Sequence, residues 1–356
     1  MKKCKEFQVS WKDLVIWKVN NLISNLSISQ LSSQNVKKLY DAKKNNHSMR
    51  ERLRIWLLEH PELNPYRFSV GLTLDPNWYK NPNKFSIGRA FQMVTSSIRT
   101  LPNFIIIGSS KSGTWATHNY LLQHPDIGYS ARNIHFFEYA YSNKISWYKS
   151  HFPTKLYKSL VESIRKRKCL MGEHTSTYLY HPLVPQRVKD VIPNVKLIVL
   201  LRNPVDRAYS NYNMFVRTGI EKRTFEDAIF SEIKRIEIIK ENNNFQIKNP
   251  NFSNCVEFNY LRIGTYVDSL ENWLKFFRRE QFCIIENKDL SKNPQQVFDK
   301  IFKFLNLSSF ELKQEERWNV GKYEKMKTST RKILVDYFKP YNERLYKLLD
   351  QNFGWD

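Results

Sequence analysis

The sequence predicts an α/β fold in which a parallel β-sheet lies between two layers of helices. Its strand-like runs, Phe104–Ile107, Val195–Leu201 and Phe282–Glu286, are almost continuously apolar rather than alternating. Strands buried on both faces have this pattern, which is typical of parallel sheets covered by helices. Helical patterns follow the strands, as crossover connections between parallel strands require. They are Trp115–Gln123, Pro204–Phe215, Tyr266–Phe277, Pro294–Leu305 and Thr330–Leu349.

The length and composition allow one large domain with an extension, or two domains. Of the 356 residues, 41% are hydrophobic and 14% are aromatic, which is enough to fill a core. Residues 1–97 are polar and rich in Asn and Ser, with a helical pattern at Met49–Glu59. We therefore predict a mostly helical or irregular N-terminal extension over residues 1–97 and a single α/β domain over residues 98–356.

The chain is strongly basic, with a formal net charge of +23. Such a surface attracts polyanions, nucleotides or anionic membranes, although abundant Lys and Asn can also spread charge without forming a site. Both interpretations stay open at this point.

Cysteine spacing and hydropathy exclude several classes of protein. Cys4, Cys169, Cys255 and Cys283 show no paired spacing, so neither a zinc site nor a disulfide framework is predicted. The N-terminus has no long apolar core behind its charges, and the longest apolar runs are too short to cross a bilayer. We expect reduced cysteines, no transmembrane segment and a cytoplasmic location.

A glycine-bounded loop joins the first strand to the next helix. Gly108 and Gly113 have the spacing of phosphate-binding loops. Backbone N–H groups at a helix start lack partners and carry partial positive charge, so an anion docks there. Lys111 lies inside the loop, however, and Trp115 stands where nucleotide hydrolases have the hydroxyl that binds Mg²⁺. We interpret the loop as P-loop-like and suited to a phosphate or sulfate group without a metal. The alternative is an ordinary strand-to-helix turn.

A second apolar strand runs directly into Arg202. A guanidinium beside a strand end is costly to bury unless it meets an anion, and its planar fork suits a phosphate. Ser210 follows about two helical turns later and could add a hydroxyl to the same anion. The alternative is an ion pair between Arg202 and a carboxylate, with Ser210 facing solvent.

Three further segments carry polar groups. In Asn133-Ile-His135-Phe-Phe-Glu138 an imidazole and a carboxylate could take a proton from a hydroxyl, unless they are an unrelated surface pair. The polar run Gly172–Tyr178 precedes a helix at Pro185, and its His174 could act on a substrate or cap local backbone. The basic loop Gly321-Lys322-Tyr323 precedes the last helix.

Together these segments resemble the sulfotransferases that use 3'-phosphoadenosine 5'-phosphosulfate (PAPS), in particular the heparan-sulfate-type and related bacterial branch. The resemblance runs from about Leu101 to Asp356, with all its motifs in order. They are Lys111-Ser-Gly-Thr114 with His124-Pro-Asp126, His135-Phe-Phe, Gly172-Glu173 with Tyr178, Arg202 to Ser210, Leu261-Arg-Ile-Gly264-Thr-Tyr266 with Trp273-Leu, and Phe353-Gly-Trp355-Asp.

The resemblance implies a role for each segment. Arg202 and Ser210 would hold the 3'-phosphate of PAPS, and Lys111 would stabilise the leaving phosphate oxygen without a metal. The 5'-phosphosulfate would bind to Lys111, Ser112, Gly113, Thr114 and Trp115, and the loop Gly321, Lys322 and Tyr323 would close over the cofactor.

The chain departs from the family at two positions. Asn133 stands where heparan-type members usually have a glutamate, the favoured base, and His174 replaces a common lysine of the Gly-Glu-Lys segment. We therefore predict His135 as the general base, with Glu138 as its orienting partner or its competitor and His174 as the next candidate.

The predicted function is transfer of a sulfuryl group from PAPS to a hydroxyl, rather than an amine, of a small molecule or saccharide. No metal and no nucleic-acid partner are expected. A P-loop kinase is an alternative, against which the missing Mg²⁺ ligands at Thr114 and Trp115 argue. A catalytically weak nucleotide- or polyanion-binding protein is a second alternative, motivated by Asn133 and the net charge.

Overall fold

The computed structural model describes residues 92–241, 259–313 and 323–355. Within them, five strands form one sheet in the order β2-β3-β1-β4-β5, and every neighbouring pair is parallel. This confirms the predicted α/β fold with a central parallel sheet. The strands are β1 (Phe104–Gly108), β2 (Ile127–Arg132), β3 (Leu170–His174), β4 (Lys196–Leu201) and β5 (Phe282–Glu286).

The described helices connect the strands or follow the last of them. They are α1 (Thr114–Leu121), α2 (Ile145–Lys149), α3 (Lys155–Arg165), α4 (Val184–Val191), α5 (Pro204–Arg217), α6 (Phe225–Glu241), α7 (Tyr266–Leu274), α8 (Asn287–Lys292), α9 (Pro294–Leu305) and α10 (Thr328–Leu349).

Alternate residues of each central strand enter opposite core layers. Ile105 and Ile107 of β1 belong to the layer that contains side chains of α4, α7 and α10, whereas Phe104 and Ile106 pack with side chains of α1, α8 and α9. All four side chains are fully buried. Burial on both faces explains why the sequence of β1 is continuously apolar.

The carboxyl ends of the strands meet at one edge of the sheet. Ile106 of β1 is opposite His174 of β3, which is opposite Arg132 of β2. β4 ends at Leu201 on the other side of β1. The loop after β1 and Arg202 after β4 therefore lie at the same edge, where ligands of such sheets bind.

The start of α5 fixes the position of Arg202. Asn203 caps the helix, because its side-chain oxygen accepts hydrogen bonds from Val205 N at 3.0 Å and Asp206 N at 3.4 Å. Pro204 occupies the first helical position, where its missing N–H costs nothing. The chain consequently turns from β4 into α5 within two residues.

The polar run Gly172–Tyr178 precedes α4, as expected, and it begins within β3, an interior strand of the sheet. Gly172 admits the ring of Phe104, since a Cβ at this position would lie 2.2 Å from a ring carbon. The Glu173 side chain points into a set of hydroxyl groups. Contacts from distant segments thus make a polar sequence compatible with a buried strand.

The carboxylate of Glu173 is fully buried. Thr175 Oγ1 donates to it at 2.9 Å, and the hydroxyls of Tyr148 and Tyr178 also hydrogen bond to it. Burial raises the pKa of Glu173 to about 6, although these hydroxyls act in the opposite direction. The ionised carboxylate is therefore disfavoured in the folded chain.

Several predicted features lie outside the described residues. These are Cys4, Cys255 and the helical pattern at Met49–Glu59, so the boundary between an extension and a domain near residue 97 stays a prediction. Cys169 and Cys283 are buried and unpaired. Burial raises the pKa of both thiols to about 11.

We expect Gly172→Ala to lower the free energy of unfolding by about 1–3 kcal/mol, because the added methyl group would overlap the Phe104 ring. Urea unfolding measures this loss. Adding Phe104→Leu should make the two losses non-additive, because the smaller side chain frees space for the methyl group. Strictly additive losses would contradict the contact as the cause.

The raised pKa of Glu173 predicts a pH dependence of stability. Because its folded pKa of about 6 lies above the ordinary 4.5, its contribution is complete at low pH and is lost as the pH rises through about 6. Between about pH 5 and pH 7.5, wild type should lose about 1 kcal/mol relative to Glu173→Gln. Urea unfolding of both proteins at both pH values tests this, and parallel pH profiles would contradict it.

Candidate active site

The loop between β1 and α1 requires glycine at its helix end. Gly113 has φ 91° and precedes the first residue of α1. A Cβ on Gly113 would lie 2.9 Å from Asn287 Nδ2 and 3.0 Å from Leu290 Cδ2. The positive φ and the close approach of α8 both exclude a larger side chain.

Hydrogen bonds hold the loop in one conformation. The hydroxyls of Ser109 and Ser112 are 2.6 Å apart, and those of Ser110 and Tyr180 are 2.7 Å apart. Asn287 Nδ2 donates to Ser112 O at 3.0 Å. The loop is thus hydrogen bonded to two other segments of the chain. Asn287 was missed by sequence reasoning, although it directly follows the predicted strand Phe282–Glu286.

Lys111 lies within a group of positive charges. Its Nζ is 3.6 Å from Met214 Sδ on α5. The pKa of Lys111 is lowered, first by burial and then by the cations Arg217, Arg202 and Arg207. This concentration of positive charge favours an anionic ligand at the loop.

Arg202 contacts the loop directly. Its Nη1 donates to Lys111 O at 3.1 Å, while Tyr266 Oη donates to Arg202 O at 2.9 Å. Over residues 92–241, 259–313 and 323–355, no carboxylate forms an ion pair with Arg202. Ser210 is half-buried on α5. The structure therefore brings Arg202 into contact with the loop between β1 and α1 rather than with an acidic side chain.

The other predicted loop residues lie at the start of α1, which begins at Thr114. Ser112 and Thr114 are buried, and Trp115 is half-buried. The Arg132 guanidinium at the end of β2 lies 5.9 Å from the centroid of a Trp115 ring. Trp115 therefore lies beside the carboxyl end of β2.

His135 and Glu138 form a hydrogen-bonded pair. Nδ1 of His135 is 2.8 Å from Oε2 of Glu138. The Glu138 side chain is 1% exposed and that of His135 is 24% exposed. The imidazole also stacks on Tyr139, with ring centroids 5.3 Å apart. Because the carboxylate engages Nδ1, Nε2 is the nitrogen that can accept a proton from a substrate.

Backbone contacts position this pair. Asn133 N donates to His174 O at 2.7 Å, and Arg187 Nη1 donates to Phe137 O at 2.7 Å. Phe137 N donates to Tyr178 Oη at 3.4 Å. Tyr178 also bonds to the buried Glu173, so that the network around β3 supports the segment with the imidazole.

The side chain of His174 is next to His118 of α1. The residue is 3% exposed, and its ring centroid is 5.4 Å from that of His118. Neither ring nitrogen of His174 has a hydrogen-bond partner. Burial lowers its pKa well below the usual value, and His118, Arg132 and His135 add to this effect.

Gly321 and Lys322 lie outside the described residues, whereas Tyr323 is described. The Tyr323 ring is 42% exposed and meets Tyr209 edge-on, with centroids 5.5 Å apart. Tyr209 precedes Ser210 on α5, so Tyr323 packs against the residue next to the predicted ligand Ser210.

Two kinds of site are absent from the described residues. In this part of the chain, no group of three or more His, Cys, Asp or Glu side chains could hold a metal ion. Among the same residues, no helix is both long and apolar enough to span a membrane.

The chain matches proteins whose activity is known. A family model described as "Sulfotransferase domain" matches residues 101–340. A membrane-associated sulfotransferase, kil1, of Dictyostelium discoideum is 28% identical over 74% of this chain and 68% of its own length. Heparan sulfate glucosamine 3-O-sulfotransferase 6 of Mus musculus is 23% identical over 72% of this chain and 75% of its own.

A solved structure agrees with this match. The sulfotransferase from Alicyclobacillus acidocaldarius has a TM-score of 0.55 and 28% identity, covering 72% of this chain and 99% of its own. The family match covers more than half of the chain. The chain therefore belongs to the sulfotransferase family and is a transferase enzyme.

Proposed function

We propose that this sulfotransferase takes its sulfuryl group from PAPS, passes it to a saccharide hydroxyl and releases adenosine 3',5'-bisphosphate (PAP). The observation that carries the proposal is the contact of Arg202 with Lys111 O in a loop whose cations lack a carboxylate partner among the described residues. The names of two relatives, a heparan sulfate 3-O-sulfotransferase and carbohydrate sulfotransferase 15, support a saccharide acceptor.

The residues at the edge of the sheet fit a donor with two phosphate groups. Lys111 and the backbone N–H groups from Ser112 to Trp115 would hold the 5'-phosphosulfate. Arg202 and Ser210 would hold the 3'-phosphate, and Gly321–Tyr323 would cover the nucleotide. The half-buried setting of the cluster strengthens its attraction for anions relative to water.

In the proposed reaction an S–O bond forms to the acceptor oxygen while the S–O bond to the 5'-phosphate breaks. PAP leaves with that electron pair, and Lys111 stabilises the charge that develops on the phosphate oxygen. Nε2 of His135 accepts the proton of the acceptor hydroxyl. Glu138 stabilises the resulting imidazolium, and the sulfate ester leaves as an anion.

The burial of Glu138 supports this division of roles. With 1% of its side chain exposed, it is too deep to reach an acceptor directly, whereas His135 is accessible. Glu138 therefore orients the imidazole and holds its proton on Nδ1. His174 remains the next candidate for the proton, although its burial demands a rearrangement.

The cytoplasmic location stays a proposal of ours, and the relative kil1 is named membrane-associated.

Transfer of labelled sulfate from PAPS to a panel of saccharides tests the function. We expect Lys111→Ala to reduce the rate by about 10²–10³, because it removes the cation at the leaving oxygen. Lys158→Ala is the matched control, because it removes a lysine at the opposite edge of the sheet. Lys158 lines a cavity with Asn103 and Lys196 at the amino ends of the strands. Tight binding of PAP without transfer to any acceptor would favour the nucleotide-binding alternative.

His135→Asn should lower kcat by about 10²–10⁴ and leave the Kd for PAP unchanged, because it removes the base but no cofactor contact. Glu138→Gln should cost less. Asn133→Glu added to His135→Asn should restore part of kcat by supplying a carboxylate in the same segment. A dead Glu138→Gln beside an active His135→Asn would make the carboxylate the base.

A further inference from the structure

Arg207 carries a buried positive charge with unused hydrogen-bond donors. It lies in α5 and is 0% exposed. Its Nη2 donates to Tyr260 O, but Nε and Nη1 have no partner. Each unpaired buried donor loses its bonds to water without replacement, and a buried cation loses more than a neutral group. Such a group implies a missing acceptor or anion.

The charged groups around Arg207 do not supply that anion. Arg202 and Lys111 are both within electrostatic range and are themselves cations. Glu232 is the carboxylate in range, yet its two oxygens accept hydrogen bonds from the backbone N–H groups of Leu261 and Arg262, each at 2.9 Å. Burial lowers the pKa of Arg207, as expected for a guanidinium whose charge is incompletely compensated.

The face of α5 that carries Arg207 also contacts the loop between β1 and α1. Residues three, four and seven positions after Arg207 share its helix face, and they are Ser210, Asn211 and Met214. Met214 contacts Lys111 of the loop at 3.6 Å. Asn211 is also buried and its Nδ2 has no partner. Two residues on one helix face thus offer donors and lack an acceptor.

We propose that Arg207 is a positioning residue for the donor nucleotide, whose phosphate groups compensate its buried charge through the cluster with Lys111 and Arg202. This inference rests on the proposed function, because it takes a nucleotide with two phosphate groups as the ligand. Without nucleotide, the charge of Arg207 destabilises the fold, and bound nucleotide removes that penalty. Arg207 therefore couples nucleotide affinity to stability. Because it is fully buried, it acts through the cluster and does not need to contact the nucleotide itself.

Thermal unfolding and binding of PAP and 5'-AMP test this coupling. Without nucleotide, Arg207→Gln should have a Tm equal to or above that of wild type, because the unpaired charge is gone while a donor for Tyr260 O remains. With saturating PAP, its rise in Tm should be less than half that of wild type. Its Kd for PAP should increase about tenfold and its preference for PAP over 5'-AMP should fall.

Two variants serve as controls. Arg207→Lys keeps the charge and should retain most of the PAP-induced rise in Tm. Arg344→Gln removes an exposed arginine of α10 that pairs with Asp268 at 3.0 Å and Glu271 at 2.8 Å. Because both are surface ion pairs, the PAP-induced rise in Tm of Arg344→Gln should equal that of wild type.

The outcomes separate the inference from the proposed function. A large loss of Tm in nucleotide-free Arg207→Gln with an unchanged response to PAP would make Arg207 structural and overturn the inference alone. Failure of wild type to bind PAP would overturn both. If Arg207→Gln does not fold, nitrogen-15 NMR of wild type decides. The Arg207 Nε–H signal, identified by its loss in Arg207→Lys, should shift on addition of PAP, and an unchanged signal would overturn the inference.

Discussion

The mutual repulsion of cations at one edge of the sheet is the constraint on which this site depends. Lys111, Arg202 and Arg207 interact electrostatically, and burial weakens the hydration that would otherwise stabilise them. Charges of one sign stay close only if the surrounding structure holds them there. Much of the architecture around the loop can be understood as meeting that requirement, and the anionic ligand that we propose would offset the repulsion.

The frame that holds these cations is largely uncharged. Tyr266 fixes the backbone of Arg202, which in turn fixes the backbone of Lys111. Neutral hydrogen bonds of this kind position the cations without cancelling their charge. The C-terminal tail supports the frame, since Trp355 donates to Glu286 at 2.8 Å and its ring centroid is 6.0 Å from that of Tyr266. The end of the chain therefore contributes to a loop that lies far from it in sequence.

The sequence predicted those parts of the fold whose burial is uniform. β1, β4 and β5 are apolar on both faces, and their order with the helices between them predicted the parallel sheet. β2 and β3 escaped prediction because their polar residues depend on tertiary partners, as Glu173 depends on Tyr148 and Tyr178. A pattern in one segment cannot indicate that hydroxyls from another segment will meet its carboxylate.

The same distinction applies to the site. The loop and Arg202 were predicted because both follow a recognisable strand directly. The burial of Arg207 was not predicted, because a helical pattern alone does not indicate whether a charged residue faces solvent or the protein interior. Asn287 directly follows a predicted strand, but the sequence does not indicate which backbone oxygen its amide group will bind.

The two departures from the family compensate each other in charge. Asn133 removes a carboxylate and His174 removes an ammonium from neighbouring segments that are joined by the bond from Asn133 N to His174 O. A lysine in the place of His174 would bring a further cation toward Arg132, whereas a buried imidazole with a lowered pKa stays neutral. In the proposed mechanism the proton then moves to an imidazole–carboxylate pair two to five residues further along the chain. Sulfuryl transfer requires an acceptor for that proton at the right place, and we propose His135 with Glu138 for this role in place of the family's usual glutamate.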